Sequence, residues 1–280
     1  MFKALVFCGG GAKCISTLGM LGKLDVEGFL KNIEAVSACS AGTYIMVLYL
    51  LGVKPMDMLD AIPVDIDLAW DIHHLLMTPD RKGVFRIKRF TKKWRDMVVE
   101  KAGEKDLTMK RFYEITGKTL YIQVTDVDDK KQLFISHLTH PDVPLFDAVH
   151  ASSSIPLIFV PVRIEGRKCV DGGLITNLPI EPVKDLFACV LDCRYDDEET
   201  RKDLMSYLVR VFKTPAHVKK QEDLANLQGH LVTTHSNFDV LDLHKGHDAN
   251  VEEFLYGWRQ YENCEEELQE LKGWTDDWDI

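Results

Sequence analysis

The stretch Glu34–Ile45 reads EAVSACSAGTYI and crowds small residues around one serine, Ser40, between a β-like run and a helix-like run. A sharp strand-to-helix turn lifts a serine hydroxyl out of the backbone as a nucleophile. The same pattern describes an ordinary βα turn in which Ser40 caps the following helix. The stretch alone leaves the two readings level, and its surroundings have to separate them.

Upstream, Lys3–Cys8 is an apolar run ending in Gly9-Gly10-Gly11, as a buried parallel strand would be, with a helix expected from Ala12 to about Lys23. Ile33–Ala38 reads as a second strand and Ala41–Leu51 as an apolar helix. The order β, Gly-rich turn, α, β, Ser turn, α implies a parallel sheet with crossover helices. Downstream, Pro55–Thr116 is mostly helical by pattern, and Thr119–Thr125 pairs with Gln132–Ser136 around Asp128-Asp129-Lys130. Val160–Ile164 and Lys168–Val170 flank Glu165-Gly166 as a tight hairpin. Phe187–Leu191 and Phe238–Leu243 are the remaining expected strands. No repeat or flexible linker interrupts this order. The composition turns strongly acidic only near the end, so the expected organisation is one domain over 1–261 and an acidic C-terminal segment, 262–280, made of a terminal helix and a loosely held tail.

A chain of 280 residues has room for one large α/β domain with a sizeable core. Its formal charge of −10 argues against a nucleic-acid partner, which calls for a basic face. Seven cysteines without CxxC or Cys/His spacing indicate free thiols in a reducing compartment. The start, MFKALVFCGGGAKC, is too short and glycine-rich for a signal peptide, and the longest apolar run, Ala41–Val53, falls short of a membrane span. The expectation is a soluble, cytoplasmic protein.

Glycines at Gly9-Gly10-Gly11-Ala12-Lys13, between a strand and a helix start, let consecutive amides converge on one point. The helix N-terminus adds partial positive charge there, which suits a phosphate or the oxyanion of an acyl-transfer intermediate. A Walker loop needs Gly-Lys-Ser/Thr, and this chain has Gly11-Ala12-Lys13-Cys14. A dinucleotide fingerprint needs a glycine where Cys14 stands and an acidic residue after the second strand, where Ser40 stands instead. Nucleotide binding is thereby the weaker reading. A third piece, Asp171-Gly172-Gly173, follows the hairpin. Asp-Gly is common turn chemistry, but here Ala151-Ser152-Ser153-Ser154-Ile155-Pro156-Leu157-Ile158-Phe159 precedes it and Asn177-Leu178-Pro179 follows.

Taken in order, these motifs make the chain resemble the patatin-like phospholipases from about Phe2 to Leu186. The resemblance implies an α/β chain in a three-layer α/β/α fold around a mostly parallel sheet. It implies a serine lipid acyl hydrolase, of phospholipase A or lysophospholipase type, with Ser40 as nucleophile and Asp171 as base. Gly10 and Gly11 would donate oxyanion amides, with Gly9 and Ala12 shaping the loop. Ala38 and Gly42 would flank the nucleophile, and Gly172 and Gly173 would let Asp171 reach it. Burial would raise the pKa of such a carboxylate and make it a better proton acceptor. No cofactor and no metal enter this chemistry, and the implied substrate is a phospholipid or another lipid ester. Two positions depart from the family pattern: Ala38 replaces the first elbow glycine, and Cys14 replaces the glycine after the loop's basic residue. They leave open a catalytically impaired binding protein of the same fold, and a lipid acyltransferase remains a further alternative.

Histidines are the rivals to Asp171. A Ser-Asp-His order makes His217, His230, His235, His244 and His247 eligible, but none sits in a motif. His73-His74 falls in a helical stretch, HExxH and CxxC are absent, and Asp65, Asp67 and Asp71 read as a solvated face. Cys39 adjoins the nucleophile and Cys14 the glycine loop, so thiol modification is expected to inhibit by bulk. Finally, Arg81–Arg95 reads RKGVFRIKRFTKKWR, dense in base and with apolar residues near helical spacing. It suits either an amphipathic helix in peripheral contact with anionic membranes or a core-packed helix with a solvated basic face. Protein partners are not legible in the sequence.

Overall fold

The computed structural model describes residues 1–62, 82–195, 204–242 and 245–276. Asp65, Asp67, Asp71, His73, His74, Arg81 and His244 lie outside them.

Strand β1 (Ala4–Phe7) leads through the glycine loop into α1 (Cys14–Val26), then β2 (Ala35–Cys39) and α2 (Ala41–Leu50). β3 (Gly83–Phe85), α3 (Lys92–Ala102) and α4 (Met109–Thr116) precede the hairpin of β4 (Thr119–Asp126) and β5 (Lys131–Ile135). α5 (Leu145–Ser152), β6 (Leu157–Phe159), β7 (Val162–Ile164) and β8 (Arg167–Asp171) follow. The chain then forms β9 (Ala188–Tyr195), α6 (Leu204–Leu224), β10 (Gly229–Ser236), α7 (His247–Arg259) and α8 (Glu265–Asp276).

The main sheet runs β10-β9-β1-β2-β4-β8-β7, with β5 also on β4. Strands β10, β9, β1, β2 and β4 are parallel, while β8 lies antiparallel to β4 and β7 antiparallel to β8. Alternation along β1 divides the interior. Leu5 and Phe7 join the large core formed with α1, α2, α5 and α7, whereas Ala4 and Val6 face Leu178, Ile180, Val183 and Leu224 on the other side. Burial on both faces explains why β1 reads as a continuous apolar run. The result is the three-layer arrangement expected from the sequence.

Helices α1 and α7 cross at unusually close range. A β-carbon on Gly19 would strike the Phe254 carbonyl, and one on Gly257 would strike the Ser16 carbonyl. Residues Glu265–Asp276 continue this packing: Leu268 is fully buried in the large core and Lys272 Nζ donates to Glu27 O at 3.0 Å. Among the described residues, no helix is long and apolar enough to cross a membrane.

Two expectations are corrected. Phe238–Asp242, the described part of an expected strand, is not one: among the described residues the last strand is β10, and Phe238–Asp242 forms turns that lie against the glycine loop. The described part of Pro55–Thr116 is helical over Pro55–Ala61, Ile87–Arg89, Lys92–Ala102 and Met109–Thr116, and β3 within it pairs in parallel with β6 as a separate two-stranded sheet. The basic stretch is not one helix. It is β3, a 3-10 turn at Ile87–Arg89 and the first turn of α3. Its apolar residues serve the interior, with Ile87 and Trp94 buried, while Lys82, Arg86, Lys88, Arg89, Lys92, Lys93 and Arg95 are exposed.

Candidate active site

Sheet register brings the site together. Cys39 at the end of β2 aligns with Gln123 of β4, and Val124 aligns with Asp171 at the end of the antiparallel strand β8. Ser40 and Asp171 therefore arrive at the same level of the sheet with β4 between their strands. Ser40 takes φ 52° and ψ −129°, a left-handed conformation unfavourable for a serine. It is held there on every side. Thr43 donates to Ser40 O through its N–H at 2.9 Å and its hydroxyl at 2.7 Å. Ser40 N–H donates to Ser152 Oγ at 2.9 Å, and that hydroxyl donates to Gln123 O at 2.6 Å. The cap reading fails on one point: Ser40 makes no side-chain cap bond to α2. Its hydroxyl instead donates to Asp171 Oδ2 at 2.6 Å.

Ser40 is 9% exposed and Asp171 6%, so the pair meets largely out of water. The other carboxylate oxygen, Oδ1, accepts from Gly173 N–H at 2.8 Å. Gln123 Nε2 donates to Gly172 O at 2.9 Å and Thr176 O at 2.8 Å, tying this turn to the sheet. Gly172 has to be glycine for a packing reason, since a β-carbon would sit 2.6 Å from Gln123 O.

The glycine loop abuts the serine. A β-carbon on Gly9 would stand 2.9 Å from Ser40 Cβ, and Gly9 O accepts from Asn177 Nδ2. Gly11 has φ 58°, and a β-carbon there would collide with the Val240 carbonyl. Ala12 donates its N–H to that carbonyl at 3.1 Å, so Ala12 braces the loop and its amide is committed. Gly42 lets α2 start against β1, because a β-carbon would lie 2.9 Å from Phe7 O. Both departures fit without displacing these parts. Ala38 is fully buried opposite Phe7, and Cys14 packs under the loop with Sγ 3.2 Å from where a Gly10 β-carbon would be.

Ser40 opens into a cavity of about 170 Å³ whose walls include Ile15, Leu18, Ile45, Leu48, Phe90 and Phe159. A cavity of roughly that size admits a benzene ring, so several methylene groups fit beside the serine. Among the described residues no histidine lines it. His230 Nδ1 instead faces Glu267 at 3.4 Å.

Gln123, Ser152, Asn177 and Val240 support this site, and the sequence reading assigned a role to none of them individually. Gln123 carried a usable signal, an amide side chain set between Leu120-Tyr121-Ile122 and Val124 within β4. Val240 carried none, because it acts through its backbone carbonyl.

The site joins a serine on a strand-to-helix turn to a buried aspartate, beside a glycine loop and at one end of an α/β sheet. The chain belongs to the patatin-like phospholipase family, whose model matches residues 5–184. It is similar to the probable lipid hydrolase 463L of Invertebrate iridescent virus 6, 26% identical over 183 residues, covering 64% of this chain and 62% of that protein. Triacylglycerol lipase 4 of Saccharomyces cerevisiae is 28% identical over 215 residues, covering 66% of this chain and 23% of that protein. The chain thus spans less than two thirds of the length of these curated relatives. Among solved structures, VipD from Legionella pneumophila shares the fold, with a TM-score of 0.58 at 17% identity over 94% of this chain and 66% of that one.

Proposed function

We propose that the protein is a serine lipid acyl hydrolase working through an acyl-enzyme. The observation that carries this reading is the 2.6 Å bond from Ser40 Oγ to Asp171 Oδ2 where the apolar cavity opens. Ser40 Oγ attacks the ester carbonyl carbon while Asp171 Oδ2 takes its proton. The carbonyl electrons move onto oxygen, where the Gly10 and Gly11 amides hold the developing charge. Collapse breaks the bond to the alcohol, and Asp171 returns the proton to the leaving oxygen. Water then attacks the acyl carbonyl while Asp171 takes its proton, and collapse breaks the bond to Ser40 Oγ, which receives that proton as the acid leaves.

The acyl chain lies against the apolar residues of the cavity, among them Ile15, Leu18, Ile45 and Leu48. Phospholipid or lysophospholipid is the first substrate class, in keeping with the family, and the exposed cations of residues 82–95 offer a face for anionic membranes. An alcohol in place of water would make the same intermediate serve acyl transfer. A binding protein without turnover is the competing reading, and Ala38 and Cys14 favour it. A fluorophosphonate probe separates them: labelling of the protein but not of Ser40→Ala supports the hydrolase, and no labelling supports the binder. Product identification after incubation with defined lipids then names the ester cleaved.

A further inference from the structure

The cavity wall is apolar except for a few groups, and two of these have no partner. Tyr44 Oη and Ser153 Oγ are both buried without a hydrogen bond, and both residues line the cavity that reaches Ser40. Ser153 is 7% exposed and leaves the end of α5 immediately after Ser152, which supports the Ser40 amide. Tyr44 lies one helical turn beyond Ser40 on α2. Its ring is fixed edge-on to Trp94 at 4.8 Å, and Trp94 Nε1 donates to Tyr44 O at 3.0 Å. The Ser153 hydroxyl is the polar neighbour of the Tyr44 phenol. A buried hydroxyl left unpaired is costly, and here two of them share a cavity with the nucleophile.

Their position indicates which part of a substrate they face. Ser153 directly precedes Ser154, whose carbonyl accepts the Asp171 N–H at 3.0 Å, so this end of the cavity adjoins Asp171. Burial pushes the Tyr44 phenol above its ordinary pKa, with the Ser153 hydroxyl lowering it and the Asp171 charge raising it. In the proposed reaction Asp171 hands its proton to the leaving alcohol, so groups beside Asp171 lie beside the alcohol part. A hydroxyl there can accept from one protein hydroxyl and donate to the other, whereas an ether or acylated oxygen can only accept.

We infer that Tyr44 Oη and Ser153 Oγ form a paired hydroxyl clamp for a free hydroxyl on the alcohol part of the substrate, next to the scissile ester. This rests on the acyl-hydrolase reading and deepens it. The favoured substrate class is a partly deacylated lipid, such as a lysophospholipid or monoacylglycerol, over a fully acylated one.

The test uses two esters that differ by one oxygen, 2-hydroxypropyl octanoate and propyl octanoate. Their affinities for the Ser40→Ala protein are measured by calorimetry, and their kcat/KM values with the unmodified protein. The expected preference for the hydroxylated ester is about tenfold in both, falling to within about twofold in Tyr44→Phe and in Ser153→Ala. Tyr44→Phe keeps the ring on Trp94 and Ser153→Ala removes one oxygen. Either variant alone decides the matter if the other does not fold. An equal or inverted preference in the unmodified protein overturns the clamp, as does a preference that survives both substitutions. Failure to hydrolyse either ester counts against the hydrolase reading instead, and the calorimetric ratio still decides the clamp.

Discussion

The Ser40 hydroxyl and the Asp171 carboxylate stand 131 positions apart in the chain and 2.6 Å apart in space. Sheet register closes that distance: Cys39 at the end of β2 aligns with Gln123 of β4, and the next residue of β4, Val124, aligns with Asp171 at the end of β8. If this pair carries the chemistry, Ser40→Ala should reduce ester hydrolysis at least about a thousandfold. Asp171→Asn should cost about a hundredfold or more, since the amide keeps the shape but cannot take the proton. Rates with a soluble short-chain ester, beside unchanged melting temperatures, check both. Alanine at His217, His230, His235 or His247 should leave the rate largely intact, and a collapse at one of them in folded protein would refute the pair.

Gln123 should matter although it reaches neither substrate nor nucleophile. Gln123→Ala removes both side-chain bonds that hold the Asp171 turn, to Gly172 O and Thr176 O. The expected cost is about 1–3 kcal/mol of stability, from two lost bonds of which only the one to Gly172 O leaves a backbone donor, Ile175 N–H, in place. Asp171 would also be less well placed, so kcat should fall more than KM rises. Urea unfolding and steady-state kinetics read the two effects separately. Loss of stability with unchanged kcat would limit Gln123 to a structural role.

His150 should make the fold acid-sensitive. It is fully buried, its Nε2 pairs with Thr91 Oγ1 at 2.9 Å, and burial lowers its pKa from 6.5 to about 4. Lys88 and Arg95 push the same way, and Asp147 opposes them. The unfolded chain therefore takes up the proton first as pH falls. This contribution to stability is complete above about pH 6.5 and is lost progressively down to about pH 4, on the order of 3 kcal/mol in all. In His150→Gln that part of the pH dependence should vanish, whatever the variant's stability at neutral pH. Urea midpoints measured from pH 7 to pH 4 test it.

Thiol reagents should inhibit poorly, contrary to the expectation from sequence. Cys8 and Cys39 are buried and their thiols are pushed well up by burial, while Cys14 is 3% exposed. Cys264 is the one partly exposed cysteine, and its thiol is raised to about 11 by burial and then by Glu267 and Glu265. Brief treatment with iodoacetamide at neutral pH should modify Cys264 slowly and the others hardly at all, as read by mass spectrometry. Rapid alkylation of Cys39 or Cys14 in the folded protein would contradict the burial.

The exposed cations of residues 82–95 should set binding to anionic surfaces more than chemistry. Lys88 is already paired with Asp147 at 2.8 Å and Lys92 with Asp96 at 2.5 Å, but Arg89 and Lys93 also face outward beside Phe90 at the cavity. Each cation near such a membrane is worth roughly 1 kcal/mol at low salt, within a Debye length. Replacing Lys88, Arg89, Lys92 and Lys93 by Gln should weaken binding to phosphatidylserine vesicles at least about tenfold and flatten its salt dependence. Hydrolysis of a soluble ester should change little by comparison. Unchanged vesicle binding would leave these residues as a solvated face.

Local pattern was enough for the first half of the architecture. Apolar runs ending in glycines or in Ser40 marked β1 and β2, because strands buried on both faces need continuous apolar residues and the turns after them need small ones. The elbow, the glycine loop and Asp171-Gly172-Gly173 were legible for the same reason: each depends on the conformations its own residues permit. Local pattern misled where one stretch serves two elements. The spacing in Arg81–Arg95 looked helical, yet Ile87 and Trp94 are buried from a 3-10 turn and from α3. Phe238–Leu243 had the composition of a strand, but its described part, Phe238–Asp242, forms turns whose Val240 carbonyl receives the Ala12 amide. Only the tertiary structure could decide that contact, the register of β8 against β4, and the placing of Tyr44 and Ser153 in one cavity. Each joins residues distant in the chain through backbone groups or orientations that residue type does not encode, and becomes determinate only once the sheet has chosen its order and direction.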